Sequence, residues 1–171
     1  MRAKQLASAS FLDLCDAAVA RASSYGALVI VNDRVDLARM SGASGVHVGQ
    51  EDLAPAAARE LLGQAAVIGL STHAVSQVEA ALIEPISYVA VGPVFGTRTK
   101  ETGYAAVGLD FVRAGARLAG TLPVVAIGGI TLDNAASAID AGAASVAVIT
   151  DLLATGDPKA RVAAYLQRLG Q

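Results

Sequence analysis

The sequence predicts an α/β fold, a (β/α)8 TIM barrel in which parallel strands and helices alternate. Six short apolar segments rich in β-branched residues recur along the 171-residue chain, and each is followed by a segment with helical periodicity. Glycines follow several of these segments, whereas an open nucleotide-binding sheet carries its glycine-rich turn after the first strand. The motif GxGxxG does not occur in the chain. These observations favour a barrel over an open sheet.

The predicted strands are nearly continuous in apolar residues, which is typical of parallel strands covered on both faces. They span Ala27 to Val31, Gly45 to Val48, Val67 to Leu70, Tyr88 to Val91, Pro123 to Ile127 and Ser145 to Ile149. A complete barrel has eight strands, and about 200 residues is the lower bound for its length. We therefore expect a barrel that is incomplete at the N-terminus, with six full strands and a stub at residues 1 to 4.

The predicted helices lie between the strands. They span Val35 to Ser41, Pro55 to Leu62, Val75 to Ile83, Leu109 to Ala119, Leu132 to Ala141 and Pro158 to Leu169. An earlier helix is expected to be capped by Ser10 and to end before Gly26. Left-handed caps are expected at the glycines that follow four of the helices, Gly42, Gly63, Gly120 and Gly142. Since no linker or shift in composition interrupts this pattern, residues 1–171 are predicted to form a single domain.

The composition excludes several classes of function. A net charge of −2 gives no electrostatic basis for binding nucleic acid. No segment has the roughly 18 consecutive apolar residues of a membrane span, and no apolar segment typical of a signal peptide follows the charged start. Cys15 is the only cysteine, so it forms no internal disulfide and fits a reducing compartment. We expect a cytoplasmic protein that binds neither nucleic acid nor a membrane.

Polar residues follow the predicted strands at the ends where such barrels form their active sites. Asp33 and Asp52 follow two neighbouring strands, and carboxylates with water and substrate phosphate are the ligands that Mg²⁺ prefers. The alternative is that both aspartates complement the dipoles of the helices that follow, and their positions alone favour this alternative. Asn32, Ser71 and Thr150 would likewise serve either as ligand-binding residues or as helix caps.

The segment Thr97-Arg98-Thr99-Lys100 lies in the longest connection between two predicted strands. Its two hydroxyls, guanidinium and ammonium suit a phosphate-bearing ligand, and a long loop in a compact domain is usually functional or disordered. A solvated loop without function is the alternative. Gly128-Gly129 and Ile149-Thr150 end the last two strands, where many barrels bind phosphate through backbone N–H groups.

Neither histidine predicts a catalytic pair. His47 lies inside a strand and is interpreted as a hydrogen-bonded structural residue, and His73 has no nucleophile beside it in the motifs. Clusters of Cys and His with the spacing of zinc ligands are absent from the sequence, so no zinc site is expected.

The segments that follow the strands resemble the thiamine-phosphate synthase family from residue 1 to about 155. The matching segments are VNDRVDLA, GVHVGQEDL, IGLSTH, VAVGPVFGTRTK, VVAIGGITLDNA and AGAASVAVIT. The resemblance implies a transferase of thiamine biosynthesis with small-molecule substrates. It would join 4-amino-2-methyl-5-hydroxymethylpyrimidine diphosphate to 4-methyl-5-(2-phosphoethyl)thiazole and release pyrophosphate. The implied mechanism is dissociative, because the bond to pyrophosphate breaks before the thiazole nitrogen attacks.

The resemblance also implies roles for individual residues. Asp33 and Asp52 would hold Mg²⁺. The pyrimidine diphosphate would be bound by Arg2, Lys4, Asn32, Ser71 and Lys100. The thiazole phosphate would be held by Thr97, Arg98, Thr99, Gly129, Ile149 and Thr150, where the family usually has Ser in place of Thr150. Lys100, Ser71 and Asn32 are the residues expected to take part in catalysis.

One departure from the family pattern lies at the first residues. The family motif of the second strand reads Gln-x-Arg-x-Lys, whereas this chain begins Met1-Arg2-Ala3-Lys4. The sequence is thus expected to lack the first strand, the first helix and most of the second strand. Two alternatives to the synthase stay open. One is a thiazole tautomerase-like relative, which tends to lack the loop present here as GPVFGTRTK. The other is a non-catalytic remnant that binds a phosphate ligand without turnover.

Overall fold

The structure is a computed structural model that describes residues 1–3, 5–96 and 105–170. Strands and helices alternate along it, and the strand order in the six-stranded sheet is the order along the chain. The strands are β1 (Ile30–Asn32), β2 (Gly45–Val48), β3 (Val67–Thr72), β4 (Tyr88–Val91), β5 (Val124–Ile127) and β6 (Ser145–Ala147). The helices are α1 (Ser8–Ser23), α2 (Val35–Met40), α3 (Pro55–Leu62), α4 (Val75–Ala81), α5 (Gly108–Ala119), α6 (Ala135–Asp140), α7 (Thr150–Leu153) and α8 (Pro158–Leu169). The predicted α/β class is confirmed.

The chain divides into two compact units. Unit 1 comprises Met1–Ser71 and Ile83–Ser87, and unit 2 comprises Thr72–Leu82 and Tyr88–Gln171. This division does not test the prediction of a single domain over residues 1–171, which stays a prediction.

In unit 1, β2 pairs in parallel with both β1 and β3. The apolar runs of these strands form its core, in which Val31, Val46 and Ile68 are fully buried. Gly45 lies so close to the neighbouring strand that a Cβ would stand 1.8 Å from the carbonyl oxygen of Val67. A side chain at this position is therefore incompatible with the pairing of β2 and β3.

The first residues pair with β1. The Met1 nitrogen donates to the carbonyl oxygen of Ile30 at 2.5 Å, and the amide of Asn32 donates to the carbonyl oxygen of Met1 at 2.8 Å. This is the pattern of a parallel bridge between Met1 and Val31. Met1, the first residue of the stub expected from the sequence, is thus paired with β1, and this register sets Arg2 level with Asn32.

In unit 2, β5 pairs in parallel with both β4 and β6. Val89, Val91 and Ala126 are fully buried, and α5 covers them with an apolar face that includes Val112. Gly92 follows β4 at a point where a Cβ would lie 2.2 Å from the carbonyl oxygen of Ile127. The peptide bond between Gly92 and Pro93 is cis.

Several predicted boundaries shift by two or three residues. The prediction of Ser10 as a helix cap is wrong: α1 begins at Ser8, because Ala7 is extended and its carbonyl accepts from the amide of Phe11. α6 begins at Ala135 rather than at 132, because residues 131–134 form a turn closed by the side chain of Asn134. β6 ends at Ala147 because the short helix α7, which the sequence did not indicate, begins at Thr150.

The four cap glycines all have positive φ, between 58° and 103°. Gly63 and Gly120 nevertheless lie outside the left-handed helical region, since their ψ values are 171° and −108°. The sequence thus predicted where positive φ is needed, but not the full backbone geometry. Within the described ranges, no helix has the length and apolar character to cross a membrane.

Candidate functional site

Four residues lie in or just after neighbouring strands of unit 1, and side-chain hydrogen bonds connect three of them, His47, Gln50 and Ser71. We call Asn32, His47, Gln50 and Ser71 the strand-end cluster. The Nε2 atom of His47 lies 2.8 Å from the hydroxyl of Ser71, and Nε2 of Gln50 donates to the Ser71 carbonyl oxygen at 2.6 Å. Asn32 is aligned with His47 in the register of β1 and β2. Both sides of Ser71, its hydroxyl and its carbonyl, are therefore fixed by residues of the neighbouring chain segment.

His47 is hydrogen-bonded, as predicted, and its partner is one of the predicted ligand-binding residues. The sequence did not indicate this pairing, because the two residues are 24 positions apart. Gln50 was not among the predicted site residues either, although it follows β2 directly.

The side chain of Asn32 contains a buried donor without a partner. Its Nδ2 atom is inaccessible to solvent and has no hydrogen-bond acceptor in the part of the chain that the structure describes. Asn32 does not cap α2, since the residue at the cap position is Arg34 and no side chain caps that helix. A buried donor without an acceptor costs about 1–3 kcal/mol. The arrangement suits an acceptor that a ligand would bring.

Asp33 has an unusual backbone conformation for a residue other than glycine, with φ of 65°. Aspartate is one of the few side chains that tolerate this region. The amide of Asp33 donates to the carbonyl oxygen of His47 at 2.8 Å, which fixes the turn after β1. The acid in the first turn of α2 is Asp36, which Arg34 holds through two hydrogen bonds.

Asp52 is fixed by the turn that follows β2. Its Oδ2 atom accepts from the amide of Gly49 at 2.7 Å, and a Cβ at Gly49 would lie only 3.2 Å from this oxygen. The first turn of α3 contains no acidic residue, so Asp52 does not belong to that helix. This geometry does not support the alternative that Asp52 acts on the dipole of α3. No group of three or more His, Cys, Asp and Glu among the described residues is arranged to hold a metal ion.

Of the two basic residues predicted in the N-terminal stub, the structure describes Arg2. Arg2 is exposed and lies level with Asn32 through the bridge between Met1 and Val31. The remaining predicted residues of this group and of the long loop lie outside the described residues: Lys4, Thr97, Arg98, Thr99 and Lys100.

In unit 2, the glycine pair after β5 packs against the segment after β4. Gly128 and Gly129 have φ of 93° and 66°, and the amide of Phe95 donates to the Gly128 carbonyl oxygen at 3.0 Å. A Cβ at Gly129 would lie 2.6 Å from the carbonyl oxygen of Gly96 and 2.8 Å from the Cβ of Phe95. Both the conformation and the close approach therefore require glycine at this position.

Asn134 clamps the turn that begins at Gly129. Its Nδ2 atom donates to the Gly129 carbonyl oxygen at 3.0 Å, and its Oδ1 atom accepts from the amide of Thr131 at 2.8 Å. The sequence predicted a helix from Leu132 and so placed Asn134 inside it, whereas asparagine side chains commonly bond to the local backbone in turns. The prediction of site residues overlooked it.

Ile149 follows β6 at the same offset at which Gly129 follows β5, and Thr150 is the next residue. Ile127 is paired with Ala147, so Gly129 and Ile149 each lie two residues beyond paired positions. Ile149 is 55% exposed, and Thr150 is the first residue of α7. The structure thus brings these three predicted residues to neighbouring strand ends of unit 2.

His73 lies at the start of unit 2, beyond β3. Its Nδ1 atom lies 2.5 Å from the carbonyl oxygen of Gly92, and its amide donates to Oε1 of Gln77 at 2.7 Å. Both of these contacts fix the position of His73 on the backbone and side chains that follow β3 and β4.

The chain is thus an α/β protein in which the candidate binding residues follow the ends of parallel strands. The model of the family described as thiamine monophosphate synthase matches residues 1–152. The chain therefore belongs to this family, as the resemblance of its motifs predicted.

Individual relatives agree with this assignment. Proteins named thiamine-phosphate synthase are 48% identical over 141 residues in Koribacter versatilis and 46% identical over 147 residues in Thermosynechococcus vestitus. The matched regions cover 82% and 86% of this chain but only 65% and 41% of those proteins. In Acidothermus cellulolyticus the identity is 42% over 170 residues, 99% of this chain and 80% of the relative. The chain thus spans less than two thirds of the first two relatives.

A solved structure supports the fold. The thiamine phosphate pyrophosphorylase from Pyrococcus furiosus superposes with a TM-score of 0.90 at 28% identity, covering 99% of this chain and 81% of that one. The predicted fold type, that of thiamine-phosphate synthase, is confirmed.

Proposed function

We propose that this chain acts as a thiamine-phosphate synthase. It would condense 4-amino-2-methyl-5-hydroxymethylpyrimidine diphosphate with 4-methyl-5-(2-phosphoethyl)thiazole to give thiamine phosphate and pyrophosphate. The observation that carries the proposal is the buried Asn32 amide, which has no acceptor among the described residues and lies at a strand end where a ligand would supply one. The names of the relatives support the synthase over a thiazole tautomerase-like protein.

The pyrimidine diphosphate would bind at the strand-end cluster. Asn32 would donate through Nδ2, and Ser71 would present the hydroxyl that His47 holds at 2.8 Å. Arg2, Lys4 and Lys100 would contribute positive charge to the diphosphate. Hydrogen bonds from charged donors to phosphate are about twice as strong as neutral ones.

Asp33 and Asp52 fit Mg²⁺ by the chemistry of their donor atoms. Two carboxylates complemented by water and substrate phosphate are a usual ligand set for this ion. Asp52 uses Oδ2 to accept from Gly49, and this bond orients its carboxylate. When bound, the ion would supply positive charge to the diphosphate, in addition to that of the basic side chains.

The thiazole phosphate would bind at the strand ends of unit 2. Gly129, Ile149 and Thr150 would contact its phosphate, together with Thr97, Arg98 and Thr99. The fixed conformation of Gly129 supports this assignment, since its backbone is held by Asn134 on one side and by close packing on the other. Preorganised backbone donors bind anions without a further cost of ordering.

The chemistry implied by the family resemblance requires no nucleophilic side chain. The bond between the pyrimidine methylene and the diphosphate oxygen would break first, and its electron pair would leave with the pyrophosphate. The resulting cation would be captured by the lone pair of the thiazole nitrogen. The protein's task is then to stabilise the charge of the departing pyrophosphate, which fixed donors and cations do.

A coupling assay with both phosphorylated substrates tests the proposal. Lys100→Ala should lower kcat about 100-fold, because one charge-assisted contact in the transition state contributes about 3 kcal/mol. Lys159→Ala, at an exposed position in α8, is the matched control and should leave kcat unchanged. Activity of Lys100→Ala within a fewfold of the parent would exclude this role. If both substrates bind to the parent without product, the chain is the non-catalytic remnant.

Calorimetry with the pyrimidine diphosphate tests the proposed metal ligands. Affinity should depend on Mg²⁺, and Asp33→Asn and Asp52→Asn should each abolish that dependence. Asparagine keeps both the backbone preference at residue 33 and an acceptor for Gly49. Asp13→Asn, on the exposed surface of α1, is the control. If both variants bind the pyrimidine diphosphate in the presence of Mg²⁺ as tightly as the parent does, the aspartates have a structural role only.

A cytoplasmic location stays a prediction from the single cysteine. Cys15 is buried in α1, and burial raises the pKa of its thiol. A raised pKa lowers the fraction of thiolate, which is the reactive form of cysteine.

A further inference from the structure

We propose that Asp151 is a positioning residue, which fixes the two strand ends of unit 2 at which the thiazole phosphate would bind. The inference rests on the proposed function and adds a residue that belongs to none of the motifs assigned to the ligands. Asp151 follows Thr150 directly in α7, one residue beyond the last segment whose role the family resemblance implies.

The carboxylate of Asp151 accepts four hydrogen bonds from three residues of unit 2, one in the loop after β5 and two in α8. Oδ2 accepts from the amide of Leu132 at 3.2 Å, from Nε of Arg161 at 3.0 Å and from the hydroxyl of Tyr165 at 2.5 Å. Oδ1 accepts from Nη2 of Arg161 at 2.9 Å. The side chains of Asp151 and Arg161 are only 12% and 21% exposed. A carboxylate so enclosed is ordered by its partners.

The hydrogen bond from the Leu132 amide connects Asp151 and its α8 partners to the candidate phosphate site. Leu132 lies three residues after Gly129, in the loop between β5 and α6. Asn134 holds the beginning of that loop through Gly129 and Thr131, and Asp151 holds its end. The four-residue segment 129–132 is therefore fixed at both ends by side chains.

The same carboxylate fixes the other strand end. Because Asp151 directly follows Thr150, the hydrogen bonds that hold the Asp151 side chain also fix the first turn of α7. The anchor is α8, where Arg161 and Tyr165 are one helical turn apart and lie on one face. α8 thus acts, through Asp151, on both predicted phosphate-binding segments, although it contributes no ligand of its own.

Asp151 is ionised and Tyr165 is neutral near neutral pH. Hydrogen bonds from Arg161 and Tyr165 lower the pKa of Asp151, and burial together with the bond to Asp151 raises the pKa of Tyr165. Asp151 therefore remains an acceptor for the Leu132 amide under all conditions in which the enzyme would be assayed.

The test compares Asp151→Asn with Asp157→Asn. Asp157 is a matched control, because it also holds α8, by accepting from the amide of Ala160 at 3.0 Å, but has no bond to the loop. Two quantities are measured in each variant: the Kd of the thiazole phosphate by calorimetry, and amide hydrogen exchange of the peptide covering residues 129–132. Tyr165→Phe, which removes one bond and keeps the charge pair, is the milder second variant in case Asp151→Asn does not fold.

We expect Asp151→Asn to raise the Kd of the thiazole phosphate about tenfold, the equivalent of one net hydrogen bond. Exchange of residues 129–132 should accelerate, while the Kd of the pyrimidine diphosphate should stay within twofold. Tyr165→Phe should shift both quantities in the same direction by about threefold. Asp157→Asn should change neither quantity.

Unchanged thiazole phosphate affinity in Asp151→Asn and Tyr165→Phe, with normal binding to the parent, overturns the inference and leaves the proposed function intact. Equal losses in Asp157→Asn also overturn it, since they would show a general effect of α8 on stability. Failure of the parent to bind the thiazole phosphate overturns the proposed function, and the positioning role of Asp151 with it.

Discussion

Replacing Asn32 with leucine should stabilise the ligand-free protein and weaken ligand binding. Leucine has nearly the shape of asparagine but lacks the amide, so the substitution removes the unpaired Nδ2 donor without leaving a cavity. An unsatisfied buried donor costs about 1–3 kcal/mol. Because the rest of the Asn32 side chain is only half-buried, we expect a gain at the lower end, about 1 kcal/mol in the free energy of unfolding.

The same substitution should reduce the affinity for the pyrimidine diphosphate. A hydrogen bond from Nδ2 to a charged acceptor would contribute about 1.5–3 kcal/mol, so its loss should raise Kd about 10- to 100-fold. Stability and binding would then change in opposite directions, which is the signature of a polar group kept for function rather than for folding.

Thr72→Val is the matched control for the stability measurement. Thr72 is fully buried like the Asn32 amide nitrogen, but its hydroxyl donates to the carbonyl oxygen of Ala90 at 3.0 Å. Valine has the shape of threonine, and the substitution should lower the free energy of unfolding by about 1 kcal/mol. Both variants are compared with the parent by urea unfolding. If Asn32→Leu destabilises as much as Thr72→Val does, the Asn32 amide is satisfied in solution and the reasoning fails.

Three further substitutions test other parts of the structure. Gly129→Ala should lower Tm by several degrees, because alanine at φ of 66° costs about 1–2 kcal/mol and its Cβ would meet the Gly96 carbonyl at 2.6 Å. Arg59→Lys should lower the free energy of unfolding by about 1 kcal/mol without changing the Kd of either substrate. Lysine cannot replace the Arg59 guanidinium, which donates to the carbonyls of Gly63, Gln64, Ala66 and Pro85. The stability difference between the parent and Asp151→Asn should be complete above the ordinary pKa of 3.8 and should shrink as pH falls through the lowered pKa of the folded state. Urea unfolding at several pH values measures it.

A different result would contradict each of these three predictions. A Gly129→Ala protein with the parent's Tm would mean that the turn after β5 relaxes without cost. Arg59→Lys with unchanged stability would mean that water satisfies those carbonyls equally well. A stability difference for Asp151→Asn that does not change in acid would mean that the carboxylate gains nothing from its partners.

Much of the fold was predictable because it follows from local signals. The bounds of β2, β4, α3 and α8 were predicted to the residue, since apolar runs and first-turn prolines mark them directly. The four-residue helix α7 was not predictable, because a single turn has no periodicity to detect. The start of α1 was misplaced because Ser10 looks like a cap, whereas the helix begins two residues earlier without any side-chain cap.

The candidate site was predictable in its residues but not in its contacts. Strand-end position and family motifs selected Asn32, Ser71 and Gly129, and the structure adds what each does within the protein. The bonds that fix Ser71 and Asp151 join residues 10 to 24 positions apart, so no local pattern contains them. The unpaired amide of Asn32 depends on burial, which a sequence motif does not specify.

The most direct test of the proposed activity is a product assay with the 171-residue chain and both phosphorylated substrates. Thiamine phosphate and pyrophosphate should appear in equal amounts, and their formation should require the pyrimidine diphosphate, the thiazole phosphate and Mg²⁺ together. Asn32→Leu should fold at least as stably as the parent and form product more slowly. Pyrophosphate release that does not depend on the thiazole phosphate, or product formation unaffected by Asn32→Leu, would contradict the proposed role of the strand-end cluster.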